Sequence, residues 1–511
     1  MNMDGKLQIS GRLVARNTLF NFIGQIIPLF IGVVAIPLII RGLAAERFGL
    51  LSIAWVILGY STVFDLGLGR ATTKFVAEVL GKGEDDEVPR LVWTAVTAQV
   101  VFGVAGGLAL AGVTPLLVGR ILNVPPDLAE EAGTTFYLLA LSVPVALVSG
   151  SFSGALEAAQ RFDLVNAVRI PSSCLTFLLP LLGVLLGLDL PGIVALILAA
   201  RLGTLAAYAM IDLRLFPGLR KYASCYSLFL RLLSFGGWVM VSSIVGPILV
   251  YLDRFLIGSL LSMAAVAYYT APYEAITRLW IIPVSLTTTL FPAFSALDVV
   301  KDKEKVGILF ARSMKYVLLV LGPVILLVEL FAEEVLQFWL GAGFAAKSSI
   351  ALQILAVGVL VNSLAHTPSA LLQSAARPDL PAKFHLLELP IYVGIAWFLI
   401  AHFGITGAAG AWTLRMALDT VLLFAAVFKI YGFSLGLVNA RGVTSTGLAL
   451  AALGAIGYVL KVLSKPFGLA AQALLAGGLL GLFGWFSWGN ILDAADRRAI
   501  MVIQKQQRTA R

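Results

Sequence analysis

Fourteen stretches of this chain are too long and too apolar to lie in water, and they follow one another through short loops almost from end to end. They fall at about 17 to 40, 49 to 69, 91 to 118, 134 to 156, 170 to 188, 190 to 211, 232 to 257, 264 to 290, 316 to 340, 349 to 373, 389 to 404, 406 to 430, 443 to 463 and 467 to 489. An α-helix needs about 20 apolar residues to cross the hydrocarbon core of a bilayer, and only the eleventh stretch is short. A backbone in lipid must satisfy its own hydrogen bonds, so the fold class is an all-α polytopic membrane protein of about 14 transmembrane helices. Two joints, near Leu188-Asp189 and Gly404-Ile405, leave almost no loop between neighbouring helices.

These spans consume the chain. Of 511 residues, 59% are hydrophobic and 13% are charged, against roughly 25% charged in soluble proteins. No stretch is left for a soluble domain, and none of the loops is large enough for a sugar-nucleotide site, so the chain is expected not to be an enzyme. The N-terminal apolar run from about Asn17 exceeds a signal-peptide core and lacks a small-residue cleavage site, so it is expected to stay as the first helix. Cys174 lies in a span and Cys225 in a basic loop, which implies no disulfide.

The net charge of +9 reads as topology and as contact with anionic membrane lipids, not as a nucleic-acid footprint. With a cytoplasmic N-terminus, about 27 of the 37 basic residues fall in inside segments and about 6 outside, as the positive-inside rule requires. Both termini are therefore expected in the cytoplasm. Four arginines remain within spans: Arg201, Arg254, Arg278 and Arg415.

A shift of about 218 residues lays "GEDDEVPRL" over "KDKEKVGIL" and "FGLLSIAW" over "VAYYTAPY", matching charge and hydropathy over two helices. An offset of six spans preserves orientation, which makes a parallel repeat. Residues 1–217 and 218–435 then form an N-terminal and a C-terminal six-helix lobe, and 436–511 adds two helices and a basic cytoplasmic tail. Prolines within spans, among them Pro28, Pro37, Pro144, Pro247, Pro283 and Pro323, are expected to bend helices.

An ionised side chain at mid-bilayer costs at least about 2.5 to 3.5 kcal/mol on insertion scales, so each in-span charge needs a partner or a wet cavity. Glu274 with Arg278, and Arg415 with Asp419, stand at i, i+4 and suit ion pairs on one helix face. Asp253 and Arg254 are expected to snorkel from an outer helix end. Arg201 has no acid within a turn. Arginine binds phosphate through a planar fork and stays ionised, so several arginines facing one cavity make an anion site. Asp65, Glu274 and Asp419 are the in-span carboxylates for ion coupling, and Arg70 and Lys74 are candidates for an inner gate. The histidines, His366, His385 and His402, have no metal-ligand partner at sequence spacing, so no metal is expected.

The segments "ERFGLLS", "FDLGLGRATTKFVAE", "GALEAAQRFDLVNAVRIP", "VYLDRFLIGSLLSMAAVAYYTAPYEAITRLWIIPVSLTTTLFPAFS" and "SALLQSAARPDLPAKFHLLELPIYVGIAWFLIAHFGITGAAGAWTLR" resemble, in order and spacing, the polysaccharide biosynthesis and export proteins. These are the Wzx-type O-antigen flippases of the multidrug/oligosaccharidyl-lipid/polysaccharide (MOP) superfamily. The resemblance implies a V-shaped, MATE-like pair of lobes in the bacterial cytoplasmic (inner) membrane. It implies movement of an undecaprenyl-pyrophosphate-linked oligosaccharide to the outer leaflet by alternating access, in the service of a glycan polymerase. Carried onto this sequence, the cationic lumen falls to Arg278, Arg254, Arg201, Arg415 and Arg41. A lipid II flippase and a cation-coupled multidrug exporter are the alternatives, the exporter disfavoured because the first span holds no acid. Coupling to H+ or to Na+ stays open, and no other cofactor is implied.

Overall fold

The computed structural model describes residues 11–60, 68–235, 237–295, 303–374, 377, 379–433, 436, 442–464, 468–493 and 496–497. Among them the chain is helical with no strand. The helices are α1 (Gly11–Tyr60), α2 (Leu68–Lys82), α3 (Val88–Leu116), α4 (Ala129–Ala158), α5 (Phe162–Leu185), α6 (Leu190–Leu215), α7 (Tyr226–Phe235), α8 (Gly237–Leu260), α9 (Met263–Thr277), α10 (Ile281–Ser295), α11 (Lys303–Leu340), α12 (Ala342–Ser374), α13 (Asp379–Tyr431), α14 (Val443–Ser464) and α15 (Gly468–Phe486). Ten stretches among the described residues are long and apolar enough to cross a membrane.

That number and the expected fourteen describe one architecture, because several spans run on without a loop. Helix α1 turns at Ala44, whose φ of 61° breaks the helical ladder. Helix α13 turns at Gly404, at φ 59° and ψ −139°, a conformation open to a residue without Cβ, and this is the expected Gly404-Ile405 joint. At the other expected joint, Asp189 caps α6 by accepting from the Gly192 N–H at 2.9 Å. A short 3₁₀ turn, Arg278–Trp280, separates α9 from α10. Pro283 falls in the first turn of α10, directly after this 3₁₀ turn.

Packing divides the chain into two compact units, 1–271 with 393–405 and 272–392 with 406–511. The expected lobe seam at 217/218 falls in the 3₁₀ turn Pro217–Arg220, which follows α6. In the first unit α3 packs most extensively on α4, and in the second α11 on α12; the register of about 218 residues would superimpose these two pairs. The α3–α4 approach depends on Gly103, where a Cβ would sit 2.5 Å from the Pro144 Cα.

Helix α11 is also tied to the segment after α15. Lys315 pairs with Asp496, the Tyr316 hydroxyl donates to Asp496 Oδ1 at 2.5 Å, and Arg312 Nη2 donates to Asp493 Oδ2 at 2.8 Å. Lys315, a loop charge in the sequence reading, is thus fully buried. Burial pushes the Asp493 carboxyl up, but the Asp496 backbone N–H and the bond and charge of Arg312 outweigh it, holding the group down at about 2.

Candidate functional site

The first unit has a half-open cavity of about 470 Å³ between α4, α5 and α6, with Leu58 of α1 on its wall. Its walls alternate apolar side chains with five hydroxyls, those of Ser149, Ser172, Ser173, Thr176 and Thr204, and it is lined by two arginines, Arg169 and Arg201. Local sequence explains the polarity. Pro171 and Pro180 lie within α5 and cannot donate to the carbonyls of Ala167 and Thr176, which leaves acceptors that only a polar cavity tolerates. Across the wall Thr204 Oγ1 donates to Ser172 Oγ at 3.1 Å and to Ala200 O at 2.9 Å.

Arg201 sits about midway along α6 and is half-buried. It makes no hydrogen bond or ion pair with a described residue. Arg169 on α5 pairs with Glu157 of α4. Two guanidinium groups and five hydroxyls in one cavity suit an anion that accepts many hydrogen bonds, and a phosphate fits that description.

The second unit holds a different group. The ligand atoms of His385, Glu388 and Asp419 lie within 4.8 Å of one another, where the two arms of α13 face each other. Arg415 Nε stands 3.4 Å from Glu388 Oε2, its guanidinium 5.7 Å from the Tyr392 ring centroid. Asp419 stands against His385 Nε2, at 3.9 Å, against Asn362 Nδ2 of α12, at 3.4 Å, and against the carboxyl of Glu388, with which it is hydrogen-bonded. The i, i+4 pair expected between Arg415 and Asp419 is therefore replaced by partners across the hairpin, because α13 folds back at Gly404. Glu388 and Asp419 are 0% and 6% exposed, and one oxygen of each, Glu388 Oε1 and Asp419 Oδ1, accepts no hydrogen bond. This also corrects the sequence reading of the histidines: His385 has two carboxylate neighbours. One nitrogen and two oxygens could hold a metal ion, but Arg415 beside Glu388 opposes a second positive charge of that size.

The other sequence candidates go elsewhere. Asp253 and Arg254 do not snorkel: both are buried to 1% exposure or less. Asp253 accepts from the Tyr269 hydroxyl at 2.5 Å and from the Arg254 N–H at 2.8 Å. Arg254 Nη1 donates to Val250 O at 3.3 Å and stacks 5.3 Å from the Tyr251 ring centroid. Such a packed arginine is a structural element of α8. Glu274 and Arg278 form an ion pair at 2.9 Å, with Arg278 44% exposed at the helix break. Arg41 is exposed, three residues before the Ala44 turn. Lys74 is exposed on α2, 5.4 Å from the Phe75 ring centroid. Asp65 and the Arg70 side chain lie outside the described residues. Of the five expected anion-site arginines, only Arg201 lines the cavity, and its companion there is Arg169, which charge counting had assigned to an inner loop.

Comparison with known proteins bears on this geometry. Residues 14–298 match the family described as "Polysaccharide biosynthesis protein". A relative from Shigella flexneri, named "Putative O-antigen transporter", is 30% identical over 415 residues, covering 80% of this chain and 96% of that protein. The chain belongs to the polysaccharide biosynthesis protein family. Another relative of this family member, the lipopolysaccharide biosynthesis protein WzxC of Escherichia coli (strain K12), is 22% identical and covers 80% of this chain and 79% of its own length. Among solved structures, an inward-facing multidrug resistance MATE family transporter of the MOP superfamily superposes with a TM-score of 0.68 at 16% identity, covering 80% of this chain and 98% of its own. The lipid II flippase MurJ, in an inward closed conformation, superposes with a TM-score of 0.66 at 13% identity, covering 94% and 100%. At such identities these structures establish the fold: the family member is a multi-pass membrane protein of MATE-like architecture.

Proposed function

We propose that this protein is a flippase that moves an undecaprenyl-pyrophosphate-linked oligosaccharide from the cytoplasmic to the outer leaflet of a bacterial inner membrane by alternating access. One observation carries the reading: Arg201, an arginine at mid-helix depth without an acidic partner, lines a 470 Å³ cavity rich in hydroxyls. A buried charge without a partner is costly in a membrane, and a pyrophosphate ligand would offset that cost. The relatives' names, which speak of O-antigen transport and lipopolysaccharide biosynthesis, point to the glycan end of the same substrate. Arg278, exposed at a helix break beside Glu274, remains a further contact for an acidic glycan. The inner basic segments would hold anionic lipids, and a glycan polymerase would take the product.

Coupling is assigned to the second unit. With His385 neutral and both carboxyls ionised, Glu388, Asp419 and Arg415 sum to one negative charge, which one proton shared between the two carboxyls, or one monovalent cation, neutralises. An imidazole nitrogen next to carboxylates suits a proton better than Na+, which prefers an all-oxygen shell. His385→Gln should therefore weaken the response of transport to a pH gradient while leaving it insensitive to Na+; a strict Na+ requirement in the unaltered protein would reject the proton.

The function itself is tested in proteoliposomes loaded with a fluorescent polyprenyl-pyrophosphate oligosaccharide. Protein-dependent movement of the label to the outer leaflet, lost in Arg201→Gln, is the expected result. Movement of lipid II in its place would shift the substrate to a peptidoglycan precursor, and movement of neither would remove the flippase reading.

A further inference from the structure

Arg169 is not bare as Arg201 is. Its Nη2 meets Glu157 Oε1, joining α5 to the last turn of α4 beside the cavity that Arg169 lines. The Arg169 and Glu157 side chains are 46% and 29% exposed, and an ion pair this open holds weakly wherever water reaches it. The neighbouring acid does not substitute for Glu157: Asp163 is held by Arg161 at 3.0 Å. On the far side the Tyr208 hydroxyl donates to Val165 O at 3.3 Å and stands in hydrogen-bond contact with Arg169, a neutral neighbour that leaves Glu157 as the acid on this arginine. The cavity thus carries two cations of unequal readiness. Arg201 is open to an anion, and Arg169 is covered by an acid of the protein's own.

A phosphate oxygen makes stronger and more numerous bonds to a guanidinium fork than one partly hydrated carboxylate does. An anion that first engages Arg201 and the hydroxyls would then compete with Glu157 for Arg169. With Glu157 in place the cavity carries one net positive charge; with Glu157 turned away it presents two arginines to a ligand with two negative phosphates. We infer that Glu157 is the resident counterion of this cavity, covering Arg169 while the cavity is empty and exchanged for the second phosphate of a pyrophosphate-linked lipid when it fills. The exchange keeps binding weak enough for release, since the carboxylate reclaims Arg169 as the ligand leaves. This role rests on the flippase reading of the same cavity.

The test is a set of binding curves on the full chain in lipid nanodiscs, using undecaprenyl pyrophosphate and, separately, inorganic pyrophosphate as probes. Glu157→Gln keeps the shape and removes the competing charge. It should tighten undecaprenyl pyrophosphate binding about twofold to fivefold, the range set by a partly exposed pair. Arg169→Gln should weaken binding about tenfold, and in that background Glu157→Gln should add nothing. Glu157→Ala should behave like Glu157→Gln, which guards against a single misfolded variant. Equal tightening with and without Arg169 would overturn the inference, because it would report only a general change of field. So would a response confined to inorganic pyrophosphate. If Arg201→Gln weakens binding while neither Glu157 variant changes it, the counterion role fails and the cavity stands. If Arg201→Gln has no effect either, the cavity reading fails as well.

Discussion

Arg201→Gln should abolish substrate recognition without loosening the fold, a combination that few arginines in a membrane helix would give. The magnitude follows from the cavity. A guanidinium fork on a phosphate makes two charge-assisted hydrogen bonds of about 1.5 kcal/mol each or more. Their loss, about 3 kcal/mol, is a factor of about 100 in the dissociation constant. Glutamine reaches the same depth and keeps a single neutral donor, so a small part of the affinity returns. Arg201→Lys keeps the charge but not the fork, and should fall between the two. Stability moves the other way. Arg201 has no described acidic partner, so its removal orphans nothing and takes a poorly solvated charge out of α6. The thermal midpoint in detergent should hold or rise. The assay is undecaprenyl pyrophosphate binding in nanodiscs, paired with thermal unfolding of the same preparations. A dissociation constant within a factor of two of the unaltered protein would refute the anion-site reasoning, and a large loss of midpoint would show that Arg201 is structural.

Three further outcomes follow from the rest of the molecule. Arg415→Ala leaves Glu388 buried beside Asp419 without its counter-charge, and should cost about 3 to 5 kcal/mol, seen as a clear drop in thermal midpoint. Gly103→Ala places a Cβ 2.5 Å from the Pro144 Cα and should destabilise the α3–α4 pair by about 1 to 3 kcal/mol through overpacking, with a matching loss of folded protein in the membrane. The tie between α11 and the segment after α15 should be pH-dependent in one direction. Asp493 is held down at about 2, so its contribution is fully present above the ordinary carboxylate range near 4 and is lost as pH falls toward 2. Amide exchange in residues 487–493 should accelerate over that acidic window and not between pH 5 and 8.

Much of the fold could be read in the sequence because lipid imposes a simple rule. Spans must be long, apolar and hydrogen-bonded within themselves, and the Gly404 turn announced itself as two spans with no loop. The sites were legible only in part. In-span arginines draw attention by their cost, and Arg201, which lines the cavity of the first unit, was singled out that way. Arg254 drew the same attention, and the structure buries it beside Asp253, at 3.9 Å, and against the Tyr251 ring. Arg169 was missed because it lies in the first third of α5, near a loop, where a basic residue counts as a topology signal. His385 and Glu388 were missed because their partners are 34 and 27 positions away along the chain, on the returning arm of α13. A signal existed: both arms put charges at i, i+3 or i, i+4, each some eleven to nineteen residues from Gly404, the spacing that brings them face to face across the turn.

The most direct test of the central claim is mass spectrometry of the lipid-linked glycans in the source cell after depletion of this protein. The account predicts that one polyprenyl-pyrophosphate-linked oligosaccharide accumulates, and that a copy carrying Arg201→Gln fails to clear it. Depletion with no lipid-linked glycan building up, or with lipid II building up in its place, would contradict it.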